Sequence, residues 1–107
     1  MMIKGFVYLI GCNQAGLFKV GRTKNDVSKR LKQLQTGCGM ELHIIDFFET
    51  NYSNYIENMI HKCFKDVNTI NEWFELSEEQ VKSFKELCDK YQKIAETLEN
   101  NEFFNKK

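Results

Sequence analysis

The sequence predicts a small α+β domain in which a three-stranded antiparallel sheet is flanked by helices in the order β-β-α-β-α-α. Short apolar segments bounded by turn residues indicate the strands, and segments whose apolar residues recur every three or four positions indicate the helices. A length of 107 residues with 42% hydrophobic content supports one compact domain. A second independent domain is excluded.

The first half of the chain predicts a hairpin followed by a helix. Residues 6–11 and 17–21 are apolar, and the Asn and Gly between them are typical of a tight turn. Residues 26–35 place apolar side chains on one helical face, and Asp26 can cap the free amides at the start of this helix. The helix should end before Gly37.

The middle of the chain predicts a third strand and a second helix. Residues 42–49 are mostly apolar, so we expect this strand to lie in the centre of the sheet. Residues 53–65 carry a broad apolar stripe at helical spacing. Residues 66–76 are expected to form a connection, plugged by Trp73 and Phe74.

The C-terminal part predicts one long helix. Ser77 and Gln80 fit a capping box, so the helix should begin at Ser77 and continue over residues 77–100. Such a helix is longer than so small a body needs. We therefore expect its far end to pack on a second copy of the chain or on another protein. The tail, residues 101–107, is predicted to be disordered.

The charge of the protein is unevenly distributed. Fifteen basic and fifteen acidic side chains give zero net charge, which excludes a uniformly basic coat for nucleic acid. Residues 1–36, however, hold seven basic side chains and one acidic side chain, and the remainder carries the opposite excess. This asymmetry indicates a polyanion-binding end. Chance in a short chain is the alternative.

Other sequence features indicate the compartment. No apolar run approaches the roughly 18 residues of a membrane helix, and the first residues become polar too early for a signal peptide. Four cysteines without a C-x-x-C pair favour reduced thiols over a zinc or redox motif. We expect an intracellular protein with no membrane partner.

Four residues that suit phosphate chemistry lie within the predicted elements. Tyr8 lies in the first strand, and Arg30 borders the apolar stripe of its helix, where a guanidinium suits bidentate phosphate contact. Glu57 and His61 share one rim of the next helix, and a carboxylate there can hold Mg²⁺. Each residue taken alone has a simpler explanation: packing for Tyr8, coverage of apolar surface for Arg30, and a surface hydrogen bond for Glu57 and His61. Lys19, the one charged residue in the second strand, can simply mark a solvent-facing position. Together these residues predict phosphodiester hydrolysis if they converge at one sheet edge.

Four short motifs occur in a characteristic order: Val7-Tyr8-Leu9, Lys19-Val20-Gly21, Lys29-Arg30-Leu31 and Ile56-Glu57. In order and spacing they resemble the GIY-YIG nuclease superfamily. The closer resemblance is to small domains of viruses and mobile elements that share K-[IV]-G, K-R-L-x-x-L-Q, E-x-x-x-H and E-W-F segments, the last being Glu72-Trp73-Phe74 here. The similarity spans about residues 5–81 and places a nuclease domain at residues 1–81, with the last helix packed on it or extending from it.

The resemblance implies roles for individual residues. Tyr8 would be the general base or would position the nucleophile, Arg30 would stabilise the phosphate, and Glu57 would be the sole protein ligand of Mg²⁺ or Mn²⁺. The other implied site residues are Lys19 and Arg22 facing the substrate, His61 ordering water or substrate, Gly21 permitting close backbone approach, and Trp73 and Phe74 closing the core beneath.

Two departures from the family pattern leave alternatives open. The second tyrosine is replaced by Lys19, which could bind phosphate, and Phe6-Val7 replaces the usual Gly-Ile pair before Tyr8. The main hypothesis is a metal-dependent DNA endonuclease in which the basic residues, including Lys24 and Lys29, hold the strand. The alternatives are a nucleic-acid-binding module without cleavage and an interaction protein that acts through the 77–100 helix.

Overall fold

The computed structural model describes residues 4–100, which form a five-stranded antiparallel sheet with helices on both faces. The predicted disordered tail lies outside the described residues. The elements in chain order are β1 Gly5–Cys12, β2 Leu17–Thr23, α1 Val27–Thr36, β3 His43–Thr50, α2 Ser53–Cys63, β4 Asn68–Ile70, β5 Trp73–Phe74, α3 Glu78–Lys82 and α4 Phe84–Asn100. A single 3₁₀ turn, Lys65–Val67, precedes β4.

The α+β class is confirmed, but the prediction of three strands is wrong. The strand order is β3-β1-β2-β5-β4, because the expected connection after α2 folds into the short β4–β5 hairpin. Its turn is stabilised by Asn71, which adopts a positive φ of 53°, and by Asn68, whose side-chain amide donates to the carbonyls of Asn71 and Trp73. β4 is exposed throughout, so no apolar run marks it in the sequence.

The predicted central position of the third strand is also wrong. β3 lies at the edge of the sheet and pairs only with β1. β1 takes the inner position between β3 and β2, and seven of its eight residues are buried. β3 is apolar for a different reason: alternate side chains pack on the domain, while Ile45 and Phe47 remain exposed.

The sheet separates two apolar cores. Val7 and Leu9 of β1 face the core built with α2 and α4. Tyr8 and Ile10, the alternate residues of the same strand, face the smaller core beneath α1. α1 and α2 therefore lie on opposite faces of β1 and β2. Side chains of the two helices can meet only around an end or an edge of the sheet.

The C-terminal segment begins as predicted but is interrupted. Ser77 and Gln80 form the full capping box, with each side chain accepting a hydrogen bond from the backbone amide of the other residue. The helix then breaks at Ser83, so the single predicted helix becomes α3 and α4. The Ser83 hydroxyl donates to the carbonyl of Gln80 at 2.7 Å, a local bond that competes with regular helix geometry.

α4 packs its apolar stripe on the same chain. Phe84, Cys88, Tyr91 and Ala95 are buried against the rest of the domain, and near the far end Glu99 accepts a hydrogen bond from the Tyr52 hydroxyl. Most turns of α4 therefore pack against the domain itself. Packing of α4 on a partner chain stays a prediction.

Across residues 4–100, no helix combines the length and apolar character needed to cross a bilayer. All four cysteines carry free thiols in the structure, as the sequence predicted.

Candidate active site

The site forms where the sheet narrows. β5 pairs with only Phe18 and Lys19 of β2. From Gly21 to Thr23, β2 is paired with β1 on one side and extends past the end of β5 on the other. Side chains from both faces of the sheet can meet around this segment. They enclose a cavity of about 190 Å³, here called the edge cavity, which is lined by Tyr8, Arg22, Arg30, Glu57 and Glu72.

Tyr8 reaches the edge cavity from an inner strand by lying over Gly21. The two residues are cross-strand neighbours, and Tyr8 is only 1% exposed. A Cβ at position 21 would lie 2.4 Å from the Tyr8 hydroxyl oxygen and 2.5 Å from Cζ, which is far inside van der Waals contact. The sequence predicted a close approach at Gly21, and in the structure it is the phenol of Tyr8 that approaches.

Arg30 enters from the α1 side. Its Nε donates to the Tyr8 hydroxyl oxygen at 3.3 Å, and its Nη1 donates to Gln33 at 3.2 Å. The hydrogen bond that Arg30 donates to Tyr8 is the main reason that the pKa of Arg30 is raised above its usual value. Neither partner is a carboxylate, so these hydrogen bonds orient the guanidinium without pairing it with an acidic side chain.

Glu57 enters from the α2 side and is buried. Its neighbours Ile56 and Ile60 fix α2 on the larger core and thereby hold the carboxylate at the margin. Oε1 accepts a hydrogen bond from Nε of Arg22 at 2.9 Å, and Oε2 lies 3.8 Å from Nε2 of His61. Burial raises the pKa of Glu57, and the nearby His61 partly offsets this effect.

Lys19 is buried behind the cavity. Its ammonium donates to the carboxylate of Glu72 at 2.5 Å and lies 5.6 Å from the centre of the Trp73 ring. The solvent-facing alternative for Lys19 is therefore wrong, because cross-strand pairing with Trp73 turns its side chain under β5. The structure places this lysine against Glu72, and Glu72 takes the position facing the cavity.

The sequence reasoning assigned no role to Glu72. Its side chain is 44% exposed and lines the edge cavity, while its backbone carbonyl accepts a hydrogen bond from the amide of Val20. The available signal was its place before Trp73 in the E-W-F segment. Without the β4–β5 hairpin, that position could not be located beside β2.

The remaining predicted site residues do not line the edge cavity. His61 donates through Nε2 to the carbonyl of Val20 at 2.8 Å, and its ring packs edge-on against Phe74. Phe74 is fully buried in the larger core, and Trp73 packs against the smaller one. The last two, Lys24 and Lys29, are exposed before and within the first turn of α1.

The oxygen donors of the edge cavity fit a hard divalent cation. Glu57 and Glu72 supply two carboxylates, and the part of the chain that the structure describes holds no cluster of three or more His, Cys, Asp or Glu side chains. A complete protein cage is thus absent from residues 4–100. Mg²⁺ commonly binds through one or two carboxylates and completes its octahedron with water and substrate phosphate.

Comparison with known proteins identifies the family. A family model described as the T5orf172 domain matches residues 5–89, a segment that contains all five residues lining the edge cavity. Searches of curated proteins and of solved structures gave no match. The chain therefore belongs to the T5orf172 domain family, which is a family of nuclease-type domains.

Proposed function

We propose that this protein is a metal-dependent DNA endonuclease domain of the GIY-YIG type, which hydrolyses phosphodiester bonds in the edge cavity. The observation that carries the proposal is the meeting of Tyr8, Arg30 and Glu57 around one cavity, although they come from β1, α1 and α2. Membership of a nuclease-type family and the order of the sequence motifs support the same function.

Tyr8 and Arg30 act as a pair in this proposal. Because the Tyr8 oxygen accepts a hydrogen bond from Arg30, its own hydrogen is free to point into the cavity. The phenol would position the attacking water. To act as the base it would first lose its own hydrogen to solvent, and the phenolate, held beside Arg30, would then accept the proton of the water while the leaving oxygen takes a proton from solvent. Arg30 would stabilise the negative charge that develops on the phosphoryl oxygens, a contribution that preorganised donors typically make in such reactions.

Glu57 would hold Mg²⁺ or Mn²⁺, and a bound divalent cation would supply further charge neutralisation at the phosphate. His61 would orient Glu57, since its ring is fixed by the Val20 carbonyl and by Phe74 while Nε2 stays 3.8 Å from the carboxylate. Lys24 and Lys29 would contact phosphates of the DNA backbone. Such contacts position a duplex without reading its bases, so we expect weak intrinsic sequence preference.

The test is cleavage of supercoiled plasmid in the presence of Mg²⁺ or Mn²⁺. The parent protein should nick the plasmid, and Arg30→Ala and Glu57→Gln should each lower the rate by about 100-fold or more. Glu49→Gln is the matched control, because Glu49 is an exposed carboxylate on β3 at the opposite edge of the sheet. Equal nicking by Glu57→Gln and the parent would contradict the proposal.

One observation favours a second candidate, a DNA-binding module without cleavage. The residue in the place of the second tyrosine, Lys19, is engaged by Glu72, so no second phenol or free ammonium lines the edge cavity. The same assay separates the two functions when it is combined with a gel-shift measurement. Retained binding with no nicking by the parent in either metal would establish the binding module.

A further inference from the structure

We propose that Arg22 and a divalent cation exchange at the carboxylate of Glu57, and that the released Arg22 then contacts the DNA phosphate. The inference rests on the proposed function, since it concerns the same cavity and the same metal ligand. It assigns Arg22 two alternative partners and makes it a positioning residue that couples cation binding to DNA binding.

The Arg22–Glu57 contact joins a fixed anion to a movable cation. Nε of Arg22 donates to Oε1 of Glu57 at 2.9 Å. The Glu57 side chain is 10% exposed and is anchored through α2, whereas the Arg22 side chain is 46% exposed on the segment of β2 beyond β5. A conformational change that breaks this contact would therefore move Arg22 and leave Glu57 in place.

The two carboxylate oxygens of Glu57 have different surroundings. Oε2 lies 3.8 Å from His61, which is itself held by the Val20 carbonyl. Oε1 is the oxygen bonded to Arg22, and both residues line the edge cavity. A divalent cation bound to this carboxylate would stand within a few ångströms of the guanidinium, where two positive charges repel strongly in a partly buried site. Cation binding thus opposes the ion pair.

The other cations of the site do not contact Glu57. Lys19 is paired with Glu72, and Arg30 is oriented by two uncharged partners. Arg22, once displaced from Glu57, would be a charged group beside a cavity that receives a phosphate. Since the cation and the phosphate would both favour the displaced arrangement, each should strengthen binding of the other, and by the same factor.

The test measures Mn²⁺ affinity of the full chain without DNA, by the electron paramagnetic resonance signal of free Mn²⁺. Arg22→Gln removes the competing charge and should tighten Mn²⁺ binding about three- to fivefold, the upper end of the range expected for losing a partly exposed ion pair. Lys62→Gln is the matched control, because it removes one exposed positive charge from α2 five residues after Glu57. Its affinity should stay within twofold of the parent. Circular dichroism confirms that each variant is folded.

A second measurement follows DNA affinity by fluorescence anisotropy with and without Ca²⁺. Ca²⁺ should strengthen DNA binding by the parent, and Arg22→Gln should reduce this gain. Unchanged or weaker Mn²⁺ binding by Arg22→Gln, while Glu57→Gln abolishes it, would overturn the exchange and leave the metal ligand of the proposed function intact. Undiminished Mn²⁺ binding by Glu57→Gln would instead overturn both the exchange and the proposed metal ligand.

Discussion

The phenol of Tyr8 lies against the backbone of Gly21, its cross-strand neighbour, with no side chain between them. This contact explains how a residue of an inner strand takes part in a site at the end of the sheet. Any side chain at position 21 would stand in the path of the ring. Arg30 then fixes the hydroxyl from above with a hydrogen bond of 3.3 Å.

We expect Gly21→Ala to impair both stability and cleavage. The added Cβ meets the Tyr8 hydroxyl oxygen and Cζ, so the phenol must shift away from Arg30, at a cost of roughly 1–3 kcal/mol in the free energy of unfolding. Nicking should fall by about 100-fold. Gly37→Ala is the control, because no heavy atom lies within 4 Å of a Cβ there. Equal stability and nicking of the two variants would contradict the steric argument.

The Lys19–Glu72 ion pair should respond unequally to loss of either partner. Glu72→Gln leaves an ammonium on a side chain that is only 10% exposed, and we expect a loss of about 1–3 kcal/mol in urea unfolding. Lys19→Met loses the ammonium contact with Trp73 but puts an apolar side chain in the buried position and leaves a carboxylate that water can solvate, so its cost should be smaller. The double variant should resemble Lys19→Met. A larger cost for Lys19→Met than for Glu72→Gln would be inconsistent with this asymmetry.

Glu57→Gln should stabilise the metal-free protein increasingly as pH rises. Because folding raises the pKa of Glu57 above 4.5, the native state binds more protons than the unfolded state in this range. The contribution of Glu57 is therefore most favourable below pH 4.5 and is lost as pH rises through its native pKa. We expect a gain for the Gln variant of about 1 kcal/mol or less at pH 7, measured by thermal unfolding in EDTA, which shrinks toward pH 4.5. A gain independent of pH would disprove this assignment.

The cysteines should differ strongly in thiol reactivity. Cys63 is exposed, whereas Cys88 is fully buried, and burial raises the pKa of Cys88 to about 12. Alkylation by iodoacetamide at pH 8, followed by mass spectrometry, should modify Cys63 at least about 100-fold faster. In guanidinium chloride the two rates should converge. Similar rates in the folded protein would show that α4 opens readily from the body.

Much of the fold could be predicted because its elements are long enough to show a period. The β1–β2 hairpin shows two apolar segments around a turn, and the helices α1 and α2 show apolar residues at helical spacing. The capping box at Ser77 is a local signal that needs no tertiary context. β4 and β5 contain three and two residues, which is too short for any period. Their pairing depends on the Asn68 and Asn71 turn, and the number of strands was underestimated for this reason.

The candidate site could likewise be predicted only in part. Arg30 and Glu57 could be selected from their positions at the margins of helical apolar stripes, and Tyr8 as the phenol within an apolar strand. The structure brings the three together. The environment of Lys19 could not be predicted, since its burial depends on pairing with β5. Glu72 was missed as a lining residue because its location follows from that same pairing.

The short pairing between β2 and β5 keeps the edge cavity open. Two additional residues in each strand of the β4–β5 hairpin would extend the pairing with β2 as far as Gly21 and narrow the opening between α1 and α2. If the proposed function holds, an insertion of that kind would abolish cleavage without altering any side chain of the edge cavity, so hairpin length in related sequences should separate active from inactive domains.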